Sequence, residues 1–312
     1  GGFDLEYRSD GMHPIRAEVR KLLQERLPET YQDSIRSYYS SHGHSLGYYG
    51  TFAFALEGPP TFSLVFEDET SSGWVDEIIE DLPELDGRLT AFYRRAGIGE
   101  LWRTYGPRLQ TEHDKYKPYA STALDHLNAY FRADDFVFQD HRGKIITAYS
   151  PLLSFFTAFT VTVNGDVYLV FGPQPGEPSP ASYYHEAAHH IVGPFIDKHV
   201  SEIESHLALL PLAQERLGGN STWKTVVEES LVRTVDKILS GRLHDASQEE
   251  VATMVENEYE RGYILSLFLY EALSAYEASD VSMEAYFPTL LSALDVELEQ
   301  RRWRKLSSDT LD

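Results

Sequence analysis

Two alternating, β-branched runs, Phe159-Thr-Val-Thr-Val163 and Asp166-Val-Tyr-Leu-Val-Phe171, flank Asn164-Gly165. Asn and Gly accept the positive φ angles of a two-residue turn, so this stretch predicts a β-hairpin. Gly172-Pro-Gln-Pro-Gly-Glu-Pro-Ser-Pro180 follows and is a loop by composition. A helix must then start. Ser179 is the candidate N-cap with Pro180 at the first helical position, and Gly193-Pro194 is the expected end. Any fold for this chain has to place hairpin, loop and helix in that order.

Elsewhere the pattern is mainly helical. Ile15, Val19, Leu22, Leu23 and Leu27 form an apolar stripe, and helical patterns return at 75–82, 85–96 and about 118–131. The segment 42–66, rich in Gly, Tyr and Phe, reads as irregular. Phe136, Phe138, Ile145 and Ile146 add strand character before the hairpin. Beyond the proline loop, helices are expected near 181–193, 200–210, 222–240, 248–276 with a break, and 284–303. The expected class is α+β, a small antiparallel sheet in a mostly helical chain, with no internal repeat. Two parts are expected: a mainly helical 1–134, and 135–312 carrying the sheet and the later helices.

Composition narrows the chemistry. The 312 residues include no cysteine, which excludes disulfides, thiolate metal sites and a thiol nucleophile. With 27 basic against 49 acidic side chains the net charge is −22, which argues against a nucleic-acid partner. The longest mostly apolar stretch, Pro151 to Val163, is too short to span a bilayer. Gly1-Gly2-Phe3-Asp4 lacks an initiating Met, which fits an exported chain whose signal has been removed and equally a cytoplasmic one. Any metal has to be held by His, Asp or Glu.

The helix after the loop carries His185-Glu186-Ala187-Ala188-His189. Four residues of α-helix correspond to about 40° of rotation and about 6 Å of rise, so both imidazoles address one point and can bind a zinc ion. Glu186 stands about 100° around from His185, beside that point, where a base would take a proton from zinc-bound water. A catalytic zinc site uses three protein ligands and leaves one position open. Phe195 stands six residues after His189, where a metzincin has a third His, and His199 lies beyond Gly193-Pro194. The remaining solution is a carboxylate on a later helix, and Val226-Val227-Glu228-Glu229-Ser230-Leu231-Val232-Arg233 supplies two.

At these residues the chain resembles the gluzincin zinc metallopeptidases, whose later helix reads Asn-Glu-x-apolar. It is also similar to a bacterial family of HExxH proteins catalogued as a domain of unknown function and held to be metallopeptidases. In that family a Pro-containing helix end follows the HExxH motif, and Glu-x-Leu-Val-Arg comes later. His185 to Pro194 and Glu229-Ser-Leu-Val-Arg233 match, and Arg261-Gly262-Tyr263-Ile264 partly matches a Gly-aromatic-x-aromatic element. Gly193, where the family has Asn, and Ile264-Leu265 depart from the pattern. The resemblance covers about 155–275 and implies a zincin-like fold with the hairpin preceding the HExxH helix. It implies Glu229 as third zinc ligand, Arg233 bracing it, and Tyr263 stabilising an oxyanion.

Periodicity makes a different choice. The stripe Val227, Leu231, Val235, Ile238 and Leu239 lies nearer Glu228, while Glu229 shares a face with Arg233 as an i,i+4 pair. Both carboxylates therefore stay open as ligands. His190 points away from His185 and His189 and reads as a residue behind the ligands or in the core; Asp197 and His199 read as solvated or capping groups. His42 and His44 read as a polar turn, and Glu256 to Glu260 as a solvated helix face. No Gly-x-Ser-x-Gly, phosphate loop or dinucleotide fingerprint is present. The leading expectation is a zinc-dependent hydrolase acting on peptide or protein substrates, with Glu186 as general base. The competing one is a binding or assembly protein on the same scaffold without turnover.

Overall fold

A computed structural model describes residues 12–65, 73–133, 145–163, 166–174 and 177–309. The chain divides into two compact units, residues 1–120 with 141–179 and residues 121–140 with 180–312. The boundary expected at 134/135 lies outside the described residues, as do Phe136, Phe138 and the Asn164-Gly165 turn.

The first unit contains α1 (Pro14–Arg26), α2 (Glu29–Ser41), α3 (Leu46–Phe54), α4 (Gly73–Asp81), α5 (Leu85–Ala96) and most of α6 (Ile98–Phe131). Ile15 at the start of the predicted stripe packs with Leu101 and Tyr105, with Val19, Leu22 and Leu23 beside them. Helix α3 falls in the segment read as irregular. Its Ser45 cap accepts from the Tyr48 amide at 3.2 Å. At Gly50 an added Cβ would stand 2.5 Å from the Phe159 ring, so the glycine that weakens helix propensity is what lets α3 lie on the sheet. Helix α6 starts twenty residues earlier than the pattern near 118 implies, running through Pro107 and Pro118.

Strands β1 (Ile145–Tyr149), β2 (Ala158–Val163) and β3 (Asp166–Phe171) form a sheet of order β1-β3-β2. The hairpin pairs as expected, from Val163 opposite Asp166 to Ala158 opposite Phe171. The sheet is mixed rather than antiparallel, because β1 runs parallel to β3 with Ile145 opposite Val167 and Tyr149 opposite Phe171. Central position accounts for the burial of Val167, Leu169, Val170 and Phe171. Turn chemistry encodes the local pairing; a parallel partner across a loop leaves no such local signal.

The second unit is helical: the end of α6, then α7 (Ala181–Lys198), α8 (Val200–Glu204), a 3₁₀ turn (Leu207–Leu209), α9 (Leu210–Leu217), α10 (Trp223–Leu243), α11 (Gln248–Glu260), α12 (Ser266–Glu277), α13 (Met283–Ser292) and α14 (Val296–Asp309). Pro180 is the N-cap of α7, with no side-chain cap bond, so the helix starts one residue later than expected. It also runs on through Gly193-Pro194. A proline inside a helix costs about 3 kcal/mol, and burial of Ile191, Val192, Phe195 and Ile196 around it offsets that cost. Tyr184 shares a 2.6 Å hydrogen bond with His126 Nδ1, tying α7 to the last turns of α6. Arg132 donates to the carbonyls of Tyr276, Glu277 and Val281, capping the end of α12. No helix among the described residues is long and apolar enough to cross a membrane.

Glu299 of α14 is only 2 % exposed, and its Oε2 has no hydrogen-bond partner among the described residues. Burial pushes its carboxyl up to about 7 despite Arg302, with Glu271 and Asp295 adding to the rise. The folded protein therefore holds a proton that the unfolded chain releases above its ordinary 4.5. Stability should fall as pH rises between those values, and the cost is complete above about 7. Glu299→Gln is expected to raise the urea midpoint at pH 8 while changing it little at pH 4. An equal shift at both would assign the effect to packing rather than to the proton.

Candidate metal centre

Helix α7 packs along α10 inside the second unit. Tyr183, Tyr184, Ala187, Ala188, Ile191 and Val192 face the core, which leaves His185, Glu186 and His189 half-buried on the remaining arc. The imidazole centroids of His185 and His189 are 4.9 Å apart with planes at 87°. Glu229 of α10 reaches between them: Oε2 lies 3.8 Å from His185 Nε2, and Oε1 lies 3.5 Å from His189 Nε2. Candidate ligand atoms of these three residues all lie within 4.8 Å of one another. Zinc bonds of about 2.0–2.1 Å in tetrahedral geometry put neighbouring ligand atoms about 3.4 Å apart, and the two carboxylate–imidazole separations of 3.8 and 3.5 Å are close to that, so the three residues could hold one such metal ion. Two imidazoles and one carboxylate also match the donors such an ion takes in catalytic sites.

Glu228 has a different task. Its Oε1 accepts from His189 Nδ1 at 2.8 Å, which leaves Nε2 directed at the cluster. Gly193, one turn after His189, lies beside it, and a Cβ added there would stand in ordinary contact with Glu228 Oε1 at 3.7 Å. The wheel that favours Glu228 assumes one apolar stripe. Instead α10 is buried nearly all round, through Val226, Val227, Ser230, Leu231, Val232, Thr234 and Val235, so its polar residues face a neighbouring helix rather than solvent.

Arg233 Nε donates to Glu229 Oε2 at 2.8 Å, so the i,i+4 pair is part of the site and not a solvated bridge. The Arg233 guanidinium lies over the Tyr263 ring at 4.1 Å. Gly262, at φ 110°, makes the turn between α11 and α12 that brings Tyr263 there, and an added Cβ would meet Leu217 and Arg216 at 2.8 Å. Tyr263 thus joins the surroundings of the cluster by stacking on Arg233.

Charge and burial oppose each other here. Burial pushes His185 down to about 3, and the neighbouring His189 adds to that against the pull of Glu229. Burial would lower His189 too, but its bonds to Glu228 and Glu229 outweigh it and hold that imidazole at about 9. Burial would raise Glu229, yet His189, His185 and Arg233 together hold it at about 2. Glu229 is therefore an anion and His185 neutral, while His189 carries a proton between the two carboxylates that a metal ion would have to displace from Nε2.

Glu186 stands outside the three-residue cluster, one position after His185. His190 is half-buried and also outside it. His199 forms the junction of α7 and α8 and lies 3.5 Å from Glu202, while Asp197 pairs with Lys224. His42 and His44 stack on Tyr38 and Tyr48 and form no metal cluster with described residues. The solvated face expected over Glu256 to Glu260 holds for Glu256 and Glu260 but not for Glu258, which is buried among three cations. In the local sequence only the i,i+3 partner Arg261 marks Glu258, because Arg233 and Lys237 lie on another helix. Comparison with known proteins found no matching family model, no matching curated protein and no matching solved structure.

Proposed function

We propose that this chain is a zinc-dependent hydrolase of the gluzincin type, with a zincin-like catalytic part, that cleaves peptide bonds. The convergence of His185, His189 and Glu229 on one point, with Glu186 adjacent on the same helix, carries the reading. Zinc, when bound, supplies Lewis acidity toward the scissile carbonyl and lowers the pKa of water to roughly 7. Glu186 takes the proton of the attacking water and passes it to the leaving amine. Glu228 holds His189 with Nε2 inward, and Arg233 holds the Glu229 carboxylate in register. Tyr263 is the candidate for stabilising the oxyanion, a role usual for Tyr or His side chains in such sites.

The test combines metal analysis with a general peptide-cleavage assay. About one zinc per chain is expected, with cleavage lost on chelation and restored by zinc. Zinc without any cleavage would support the non-catalytic scaffold instead, the reading against which Glu186 counts, since a purely structural site needs no general base. A chain that binds no zinc would end the hydrolase reading.

A further inference from the structure

We propose that Glu258 is a positioning residue for the candidate metal ligand Glu229, acting through Arg233; this rests on the metal reading above. Glu258, on α11, is 5 % exposed and lies outside the cluster of three. Its carboxylate accepts from Arg233 Nη1 at 3.3 Å and from Arg261 Nη1 at 2.9 and 3.1 Å, and Lys237 Nζ lies 3.4 Å away. Arg233 is the only one of the three whose other hydrogen bond among the described residues goes to Glu229. One guanidinium thus spans two carboxylates, with Nε on Glu229, Nη1 on Glu258 and its face on Tyr263.

A buried ion pair is weak evidence for stability, because desolvation of both charges offsets most of their attraction. What a multiply paired carboxylate supplies is geometry. Arginine has several rotatable bonds and loses side-chain entropy when held. With Glu258 fixing one edge and Tyr263 fixing the plane, Nε addresses Glu229 Oε2 without searching. Glu229 is then held with each oxygen near a different imidazole, Oε2 by His185 and Oε1 by His189. Lys237 and Arg261 hold the same Glu258 carboxylate from α10 and from the end of α11, which fixes the edge it presents to Arg233. The arrangement runs from α11 to α10 to the metal point, and it joins the site to a helix that contributes no ligand.

Zinc affinity of the full chain, measured by competition with a chromophoric chelator, tests this in a double-mutant cycle of Glu258→Gln and Arg233→Gln. Glu258→Gln alone is expected to weaken zinc binding about 10–100-fold, as loss of a group behind a ligand does. In the Arg233→Gln background the same change should cost almost nothing further, because the path is already cut. A merely structural Glu258 would lower thermal stability in both backgrounds and leave zinc affinity either unchanged or independently reduced. Either result overturns the inference. Circular dichroism establishes that each variant is folded. Should Glu258→Gln not fold, Glu258→Asp serves in the same cycle, with a smaller loss expected and the same non-additivity required. Wild-type chain that binds no zinc overturns the metal reading and this inference together. Zinc binding with independent losses overturns the inference alone.

Discussion

Glu186→Gln is expected to retain zinc at the wild-type stoichiometry and to lose peptide cleavage by about 100-fold or more, the usual scale for an acid–base group. Glutamine is nearly isosteric, so the half-buried position on α7 keeps its packing. An amide cannot accept the water proton, and that is the one function removed. Because Glu186 stands outside the cluster of His185, His189 and Glu229, its neutralisation should leave the metal in place. Metal content and turnover are measured on the same preparation. Undiminished cleavage would refute the general-base role; loss of zinc would make Glu186 a ligand and require a different base.

The second large effect is on metal binding itself. Glu229→Ala deletes one of three converging donors, so zinc should be lost at concentrations that saturate the wild type, as with His185→Ala or His189→Ala. The neighbouring carboxylate gives the sharper comparison. Taken as an unpaired side chain, Glu228 would be nearly neutral to substitution. Its 2.8 Å bond to His189 Nδ1 changes that expectation to a loss of about 10–100-fold for Glu228→Gln, similar to Arg233→Ala. Isothermal titration of the three variants separates these outcomes. If Glu228→Gln loses zinc while Glu229→Ala retains it, the two carboxylates exchange roles and the geometry around His189 has been misread.

Much of this is legible in the chain. The pairing of 158–163 with 166–171 follows from alternation about Asn164-Gly165, and the facing of His185 and His189 follows from helical spacing. The early stop at Gly193-Pro194 is not observed because local propensity is a matter of about 3 kcal/mol, which burial of Phe195 and Ile196 can match. Helix α3 is missed for a related reason: Gly50 weakens the helix in isolation but admits Phe159 against it. The parallel partner β1 carries apolar residues that fit several registers, and nothing near Ile145 or Ile146 specifies Val167 and Tyr168 as partners.

For the site, the chain alone specified which side chains share a helix: His185 with Glu186 and His189, and Glu228 with Glu229 and Arg233. Spacing along one helix is set by 3.6 residues per turn and needs no neighbour. It could not say which of two adjacent carboxylates meets the imidazoles, because they differ by about 100° and the answer depends on how α10 is rotated against α7. That rotation is set by burial of α10 on nearly every side, a property of the packed unit. The same packing brings Glu258 and Tyr263, twenty-five and thirty residues after Arg233, onto one guanidinium. Contacts at such separations are encoded by the whole core, so they appear only once the helices are assembled.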